Sequence, residues 1–269
     1  MAVPALPLHV ATSVVRDACG HATAAAGGPS AWLPARNRAA IVEWIIIVCG
    51  RVEEWTRATL HLAVKLLDTF SQRVAAVPPR LWQYCAAAAQ WIASKFEERT
   101  AYAASVFTTM SRDKLKTSVL LNMEVRMFLA AHSVLAQPTA HAVLESLLVL
   151  HPCTQKLVPP LARLMNDAML VHCSAATTSA VTRAAVALCL ARVSMLVAPV
   201  WPGALTRITG LASRDVLHTL VAWAHRAVHD SVREGKYAQG LHVWAVQCNE
   251  TGTAVLPCAS LRRLRRVLQ

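Results

Sequence analysis

Lys95 and Glu124 are the side chains whose surroundings most call for a chemical explanation. Lys95 comes late in an otherwise apolar helical stretch, YCAAAAQWIASKFEE, after Ala, Trp and Ile. Its stem can leave the core there while the ammonium reaches outward, and taken alone it reads as a snorkelling lysine at a helix end. Glu124 lies in LLNMEVRMFL, flanked by Leu121, Met123 and Phe128. A carboxylate on a largely apolar helix face needs a partner, and Lys95 is a candidate. A Lys–Glu pair rimmed by apolar side chains can anchor a partner's backbone, the ammonium donating to carbonyls and the carboxylate accepting from N–H groups. A satisfied core pair is the other reading of the same pattern.

No reaction chemistry stands beside that pair. The sequence has no G-x-S-x-G, no G-x-x-x-x-G-K-[ST] and no G-x-G-x-x-G, so neither a nucleophile elbow nor a phosphate-cradling loop is expected. Eleven histidines are scattered without H-E-x-x-H spacing. His151/Cys153 and His172/Cys173 come nearest to a ligand set, but zinc needs four converging ligands, usually with C-x-x-C or H-x₃₋₅-H spacing. Neither a metal nor a cofactor is expected, and the chain is read as a non-catalytic protein. The eight cysteines, at 19, 49, 85, 153, 173, 189, 248 and 258, form no C-x-x-C pair. Cys49, Cys85 and Cys189 sit in apolar stretches, so the set reads as buried free thiols in a reducing compartment.

The elements that must hold Lys95 and Glu124 are helices. The 269 residues are 55% hydrophobic and rich in Ala, Leu and Val, with only 9 Gly and 6% aromatics; Ala and Leu favour helix, and turn-rich sheet proteins use more Gly. After a leader that holds one short helix at Leu8–Cys19 and a break at AAAGGPS (24–30), helical patterns predict elements near 37–49, 55–75, 80–95, 101–109 and 114–132. Pro78–Pro79 start the third of these. Leu60, Val64 and Leu67 recur at spacings of four and three, as one buried face requires. Ala136-Gln137-Pro138 interrupts the pattern, and a second series follows near 139–150, 156–172, 175–195 and 213–232. The expected architecture is all-α, with two five-helix domains preceded by a short N-terminal helix. The boundaries are a leader at 1–35, a first domain at 36–137, a second at 138–254 and a basic tail at 255–269.

The balance of 27 Lys+Arg against 15 Asp+Glu gives a formal +12, which would attract nucleic acid, anionic membrane or acidic protein surfaces. The one basic block, Arg262, Arg263, Arg265 and Arg266, reads either as a solvated last helical turn or as a nuclear-targeting or anion-binding element. The N-terminal MAVPALPLHVATSVVRD lacks the early positive charge of a secretory signal and carries two prolines. The most membrane-like stretch, about Ala184 to Leu205, contains Arg192, Pro199 and Pro202 and is read as core helix plus loop. A soluble protein, not secreted and without a membrane partner, is the expectation.

Several segments resemble the cyclin box. NRAAIVEW (37–44) is similar to its opening, MRAILVDW; TLHLAVKLLDTF (59–70) to TLHLAVNYLDRF; and ASKFEE (93–98) is the form typical of A- and B-type cyclins. LLNMEVRMFLAAHSVLAQPTA (120–140) resembles the segment around LxMExxxLxxLxFxLxxPT. The match keeps order and spacing and identifies the first half as a member of that family. It implies that Arg38 and Asp68 are a structural pair tying the first helix of the box to the second, and that Lys95 and Glu124 bind a protein kinase. Neighbouring kinase contacts are implied for Phe96, Glu98, Phe128 and Leu135. Ser133 replaces the aromatic of LxFxL and removes apolar area from that interface.

The family's second site is a shallow patch that docks substrates and inhibitors carrying an Arg-x-Leu motif; Ile41, Trp44 and Gln83 match it, with Asn37 in place of the usual methionine. Trp44 suits a hot spot through its large area, or simply packs against the third helix. Ile47 stands where a glutamate would pair with the motif's arginine, so weak or altered docking is implied. More loosely, residues 161–193, 205–228 and SVREGKY (231–237) resemble the cyclin carboxy-terminal box.

The short, divergent two-box chain, without a long regulated amino-terminal tail, looks like the cyclins encoded by gammaherpesviruses. That resemblance implies a regulatory subunit that activates a host cyclin-dependent kinase, drives cell-cycle entry and evades inhibitors that need the Arg-x-Leu dock. It also implies residence in the nucleus and cytoplasm of the host cell. FEE at 96–98 slightly favours an S-phase type kinase over the D-type partner. A cyclin-fold module binding nucleic acid or promoter proteins is the alternative, disfavoured because such modules usually lack the Lys95/Glu124 pair within ASKFEE. An inert helical scaffold is the third reading.

Overall fold

A computed structural model of the chain describes residues 6–22, 33–52, 55–100, 102–111, 115–132, 135–172 and 178–219. Several expectations fall outside the described residues: Ser133, the break at 24–30, Cys173, Cys248 and Cys258, the segment 231–237, the boundary at 254 and the arginine-rich tail. Among the described residues the regular structure is helical throughout, with no strand. In chain order the helices are α1 (Leu8–Ala22), α2 (Ala35–Cys49), α3 (Arg57–Arg73), α4 (Trp82–Glu97), α5 (Ala104–Met110), α6 (Thr117–Ala130), α7 (Ala140–Leu150), α8 (Val158–His172), α9 (Ala180–Ser194) and α10 (Gly203–Thr209). A 3-10 turn at Pro79–Leu81 leads into α4, and residues 213–219 are again helical.

Two helices are apolar almost all round, and each sits at the centre of a core. In α4 every residue from Tyr84 to Ser94 is buried; the run Ala86–Ala89 lets α2, α3 and α6 approach closely on several sides. In α9 burial runs from Val181 to Val193 with Thr182 the exception, and α7 and α8 pack on it. The first core gathers Ile45, Ile46, Leu60, Leu67, Phe70, Phe107, Leu120 and Met127. The second gathers Val143, Leu147, Met169, Leu188 and Leu205. Helix α1 joins the second core through Val15 and Ala18, packing on α7, α9 and α10. The free thiols of Cys49, Cys85 and Cys189 lie in these cores, where burial pushes each up to about 12.

Helix ends show why the boundaries shift from the sequence expectation. Thr139 and Ser179 are N-caps whose hydroxyls accept from Ala142 N (3.2 Å) and Thr182 N (3.1 Å), so α9 starts at Ala180 and not near 175. Within Ala184 to Leu205, α9 runs to Ser194 and a non-helical stretch follows to Pro202, a core helix plus loop; the last three residues open a separate helix, α10, entered through Pro202 and closed by Gly210 at φ 71, the left-handed position that a glycine adopts without penalty. The Pro-Gly pair at 202–203 reads as a turn in sequence and conceals that helix. No helix among the described residues is long and apolar enough to cross a membrane.

Candidate functional site

Lys95 is the first exposed position after the buried run of α4, and Glu124 lies on the adjacent α6. The structure brings them together: the Lys95 ammonium donates to Glu124 Oε1. It also lies 4.0 Å from the centroid of the Trp91 ring, one helical turn earlier, which adds a cation–π attraction of about 0.5–1 kcal/mol. Partial burial lowers the Lys95 pKa. The Glu124 side chain, 17% exposed, is the more enclosed of the two, against 36% for Lys95.

Trp91 is itself fixed from behind. Its indole N–H donates to Tyr102 O at 2.8 Å, and its ring meets Phe107 at 6.2 Å between centroids. Phe107 stacks on Trp55 at 5.7 Å, and Trp55 meets Tyr102 edge-on at 5.7 Å. This aromatic block joins the segment before α3, the end of α4 and α5, and it holds the platform on which the ammonium rests. The sequence reading did not connect Trp91 to Lys95; the signal was their i,i+4 spacing.

Around the pair the surface is apolar. Phe96 (49% exposed) lies beside it on α4, and Phe128 (38%) one turn beyond Glu124 on α6. Leu121, Val125 and Leu129 continue the exposed stripe along α6, with Leu129 at 64%. Of these, Val125 and Leu129 were not singled out from the sequence, although the i, i+4, i+8 pattern from Leu121 carries them onto one face. Single exposed apolar residues are ordinary, but five on one face around an ion pair are not. Leu135 is half-buried and packs against the first core.

Glu98, for which a kinase contact is implied, also closes a helix end. Its Oε1 accepts from Thr56 N at 2.7 Å and Thr56 Oγ1 at 3.1 Å, and it also takes the Thr59 hydroxyl. Thr56 is the N-cap of α3 and makes no side-chain cap of its own, so the carboxylate of Glu98 closes that helix end and suits its dipole. Glu98→Ala is expected to lower stability by about 1 kcal/mol, read as a fall of a few degrees in the thermal midpoint. The same charge pushes the Glu97 carboxyl further above its usual range, where burial already raises it.

Arg38 and Asp68 meet in a buried two-point pair, Nε to Oδ1 at 2.6 Å and Nη2 to Oδ2 at 3.0 Å. Arg38 Nη1 then reaches Leu170 O (2.9 Å) and Val171 O (3.1 Å), so the guanidinium ties α2 to α3 and both to α8 of the other core. Of the second patch, Ile41 and Trp44 are half-buried against the first core, and Asn37 and Gln83 are half-buried on α2 and the first turn of α4, which pack together. Ile47 is half-buried as well. Among the described residues no group of three or more His, Cys, Asp or Glu could hold a metal ion.

A second polar centre, missed in the sequence, lies where α3 meets α7 and α8. Arg57 Nε donates to Asp167 Oδ2 at 2.7 Å, and His61 Nε2 lies 2.9 Å from Asp167 Oδ1, all three side chains buried. The two partners hold the Asp167 carboxyl below its usual range against the effect of burial. Lys65 donates to Pro138 O at 3.0 Å from the same helix, and burial, aided by Arg183, lowers it to about 8.

Comparison with known proteins agrees with this geometry. Residues 28–131 match the family model for the cyclin N-terminal domain. The chain is 28% identical over 218 residues to a G2/mitotic-specific cyclin-A of Spisula solidissima, covering 75% of this chain and 50% of that protein. It is 26% identical over 203 residues to cyclin-A2 of Gallus gallus, covering 73% and 51% respectively. The chain thus spans about half the length of the curated relatives it matches. Among solved structures, a viral cyclin from herpesvirus saimiri superposes with a TM-score of 0.67 at 18% identity, over 83% of this chain and 98% of that one, a likeness of fold. Residues 28–131 thus match the cyclin N-terminal domain, and the chain as a whole has a fold like that of a viral cyclin.

Proposed function

We propose that the chain is a regulatory subunit that binds and activates a cyclin-dependent protein kinase through the face centred on Lys95 and Glu124. The observation that carries this reading is the ion pair itself, set on Trp91 and bordered by Phe96, Leu121, Val125, Phe128 and Leu129. A partner helix laid against that stripe buries apolar area, while the ammonium and carboxylate bond to its exposed backbone groups and fix its position. In kinases the catalytic Lys–Glu pair depends on where one helix sits, so gripping that helix turns binding energy into activity without any chemistry in the cyclin. Capture of cyclin-dependent kinases from host-cell lysate by the intact chain tests the assignment; an S-phase type kinase is the expected partner, and absence of any such kinase contradicts it. We place the complex in the nucleus and cytoplasm of a host cell, as a virus-encoded subunit driving cell-cycle entry.

The patch of Asn37, Ile41, Trp44 and Gln83 is proposed as a weak dock for Arg-x-Leu segments, weakened by Ile47, which offers no charge to the motif's arginine. Ile47→Glu is expected to tighten an Arg-x-Leu peptide about 3- to 10-fold, the worth of a partly exposed charge pair. Equal peptide affinity for both chains, measured by fluorescence anisotropy, contradicts it. Inhibitors that rely on this dock are correspondingly expected to suppress the complex less. The charge of +12 is the observation behind the alternative of nucleic-acid binding. DNA affinity falling steeply with salt, with no kinase captured, would favour it.

A further inference from the structure

His61 and His141 lie in the seam between the two cores and take no part in the kinase-binding face. Their rings are 5.5 Å apart at 31°; His61 on α3 is fully buried, and His141 on the first turn of α7 is half-buried, its side chain 18% exposed. His61 Nδ1 has no hydrogen-bond partner, and His141 Nδ1 has only Glu145 Oε1 at 3.8 Å. The carboxylates nearby are already engaged: Asp167 by Arg57 through Oδ2 and by His61 Nε2 through Oδ1, and Glu145 by Arg163 at 2.6 and 2.9 Å. Charged groups therefore face the rings from every helix packed there. Arg57 comes from α3, Glu145 from α7, Asp167 from α8 and Arg183 from α9, while Lys65 of α3 and Arg163 of α8 stand farther off, beside Arg183 and Glu145. Two cations, Arg57 and Arg183, already balance the two carboxylates, so no charge is left over to offset a protonated ring, and two imidazolium rings at this separation would repel each other.

We propose that the His61–His141 contact is an acid-released latch, which keeps α3 docked on α7 and α8 while both imidazoles are neutral and frees that seam when they take up protons.

Burial is the main cause that lowers both rings, with Arg57 and Arg183 acting against protonation of His61 and the His61–His141 repulsion against that of His141, which falls to about 4; Asp167 and Glu145 pull the other way and do not win. Exposed by opening, the same rings take protons near the ordinary 6.5. The opened form then binds more protons than the closed one, so closure is complete above about 6.5 and weakens as pH falls from there toward about 4.

The test is native-state hydrogen exchange on the full chain, corrected for the intrinsic pH dependence of exchange. Opening of seam amides on α3, α7 and α8 should rise roughly 10- to 100-fold from about pH 7.5 to 5.5. Amides inside α4 and α9 should stay protected, and a His61→Gln/His141→Gln chain should show less than about a 3-fold rise. An equal rise in both chains overturns the latch, as does a parallel loss of protection in α4 and α9, which would be global acid unfolding. Should the double variant not fold, the ring resonances of the wild-type chain decide: no titration of either ring in the folded form down to about pH 5.5 supports the proposal, and titration near the ordinary value overturns it.

Discussion

Lys95→Glu is expected to cut the affinity of the chain for its kinase by at least about 30-fold while leaving the fold intact. The side chain is on the surface and its removal opens no cavity, so stability should change little. In the complex, however, partner atoms would enclose the pair, and losing one member of a desolvated, hydrogen-bonded charge pair costs about 2–5 kcal/mol. The lower end of that range is already about 30-fold in Kd. Reversal is worse than truncation, because the new carboxylate faces Glu124 and neither can be neutralised without a further cost. Unchanged kinase capture by a variant with the wild-type circular dichroism spectrum would remove Lys95 from the interface.

The largest effect on stability is expected at Arg38. Arg38→Ala strands Asp68, 1% exposed, without the guanidinium that meets both its oxygens. It also withdraws the donor to the carbonyls of Leu170 and Val171, which end α8 next to the first core. Breaking a buried pair by removing one partner costs about 3–5 kcal/mol. That is a large share of the roughly 5–15 kcal/mol that holds a domain folded, and for a chain of this length it lowers the thermal midpoint by roughly 10 °C. Because the same residue joins the two cores, the loss should appear in both: fluorescence from Trp91 in the first and Trp201 in the second should change together. A drop of only a degree or two would mean that the pair is a surface convenience, contrary to its burial.

Much of the Lys95–Glu124 face was legible because its signals are local. An ammonium following a run of Ala, Trp and Ile, and a carboxylate between Met123 and Val125, are conflicts visible in a few residues, and such conflicts mark sites where fold and function compete. Helix periods were legible for the same reason, since each apolar stripe repeats within one element. What was not legible depends on tertiary contact. Asp167 meets Arg57 and His61 across 110 and 106 residues, and no short pattern connects them. The resemblance implied a kinase contact for Glu98, and the bonds that Thr56 and Thr59 of α3 also make to its oxygen are visible only where α4 meets the start of α3. The platform under Lys95 similarly needs Trp55, Tyr102 and Phe107, brought together from three segments. Helix α10 was hidden by its own entry, where Pro202 and Gly203 imitate a turn.

The central claim is that this chain supplies binding energy that switches on a kinase. Its most direct measurement adds increasing amounts of the intact chain to a purified, inactive S-phase type cyclin-dependent kinase and follows phosphate transfer to a protein substrate. The expected result is a saturable rise in activity, reaching its plateau at one chain per kinase and shifted to at least about 30-fold higher concentration for Lys95→Glu. Binding at that stoichiometry with no rise in activity, or a rise equally potent with Lys95→Glu, would contradict the account.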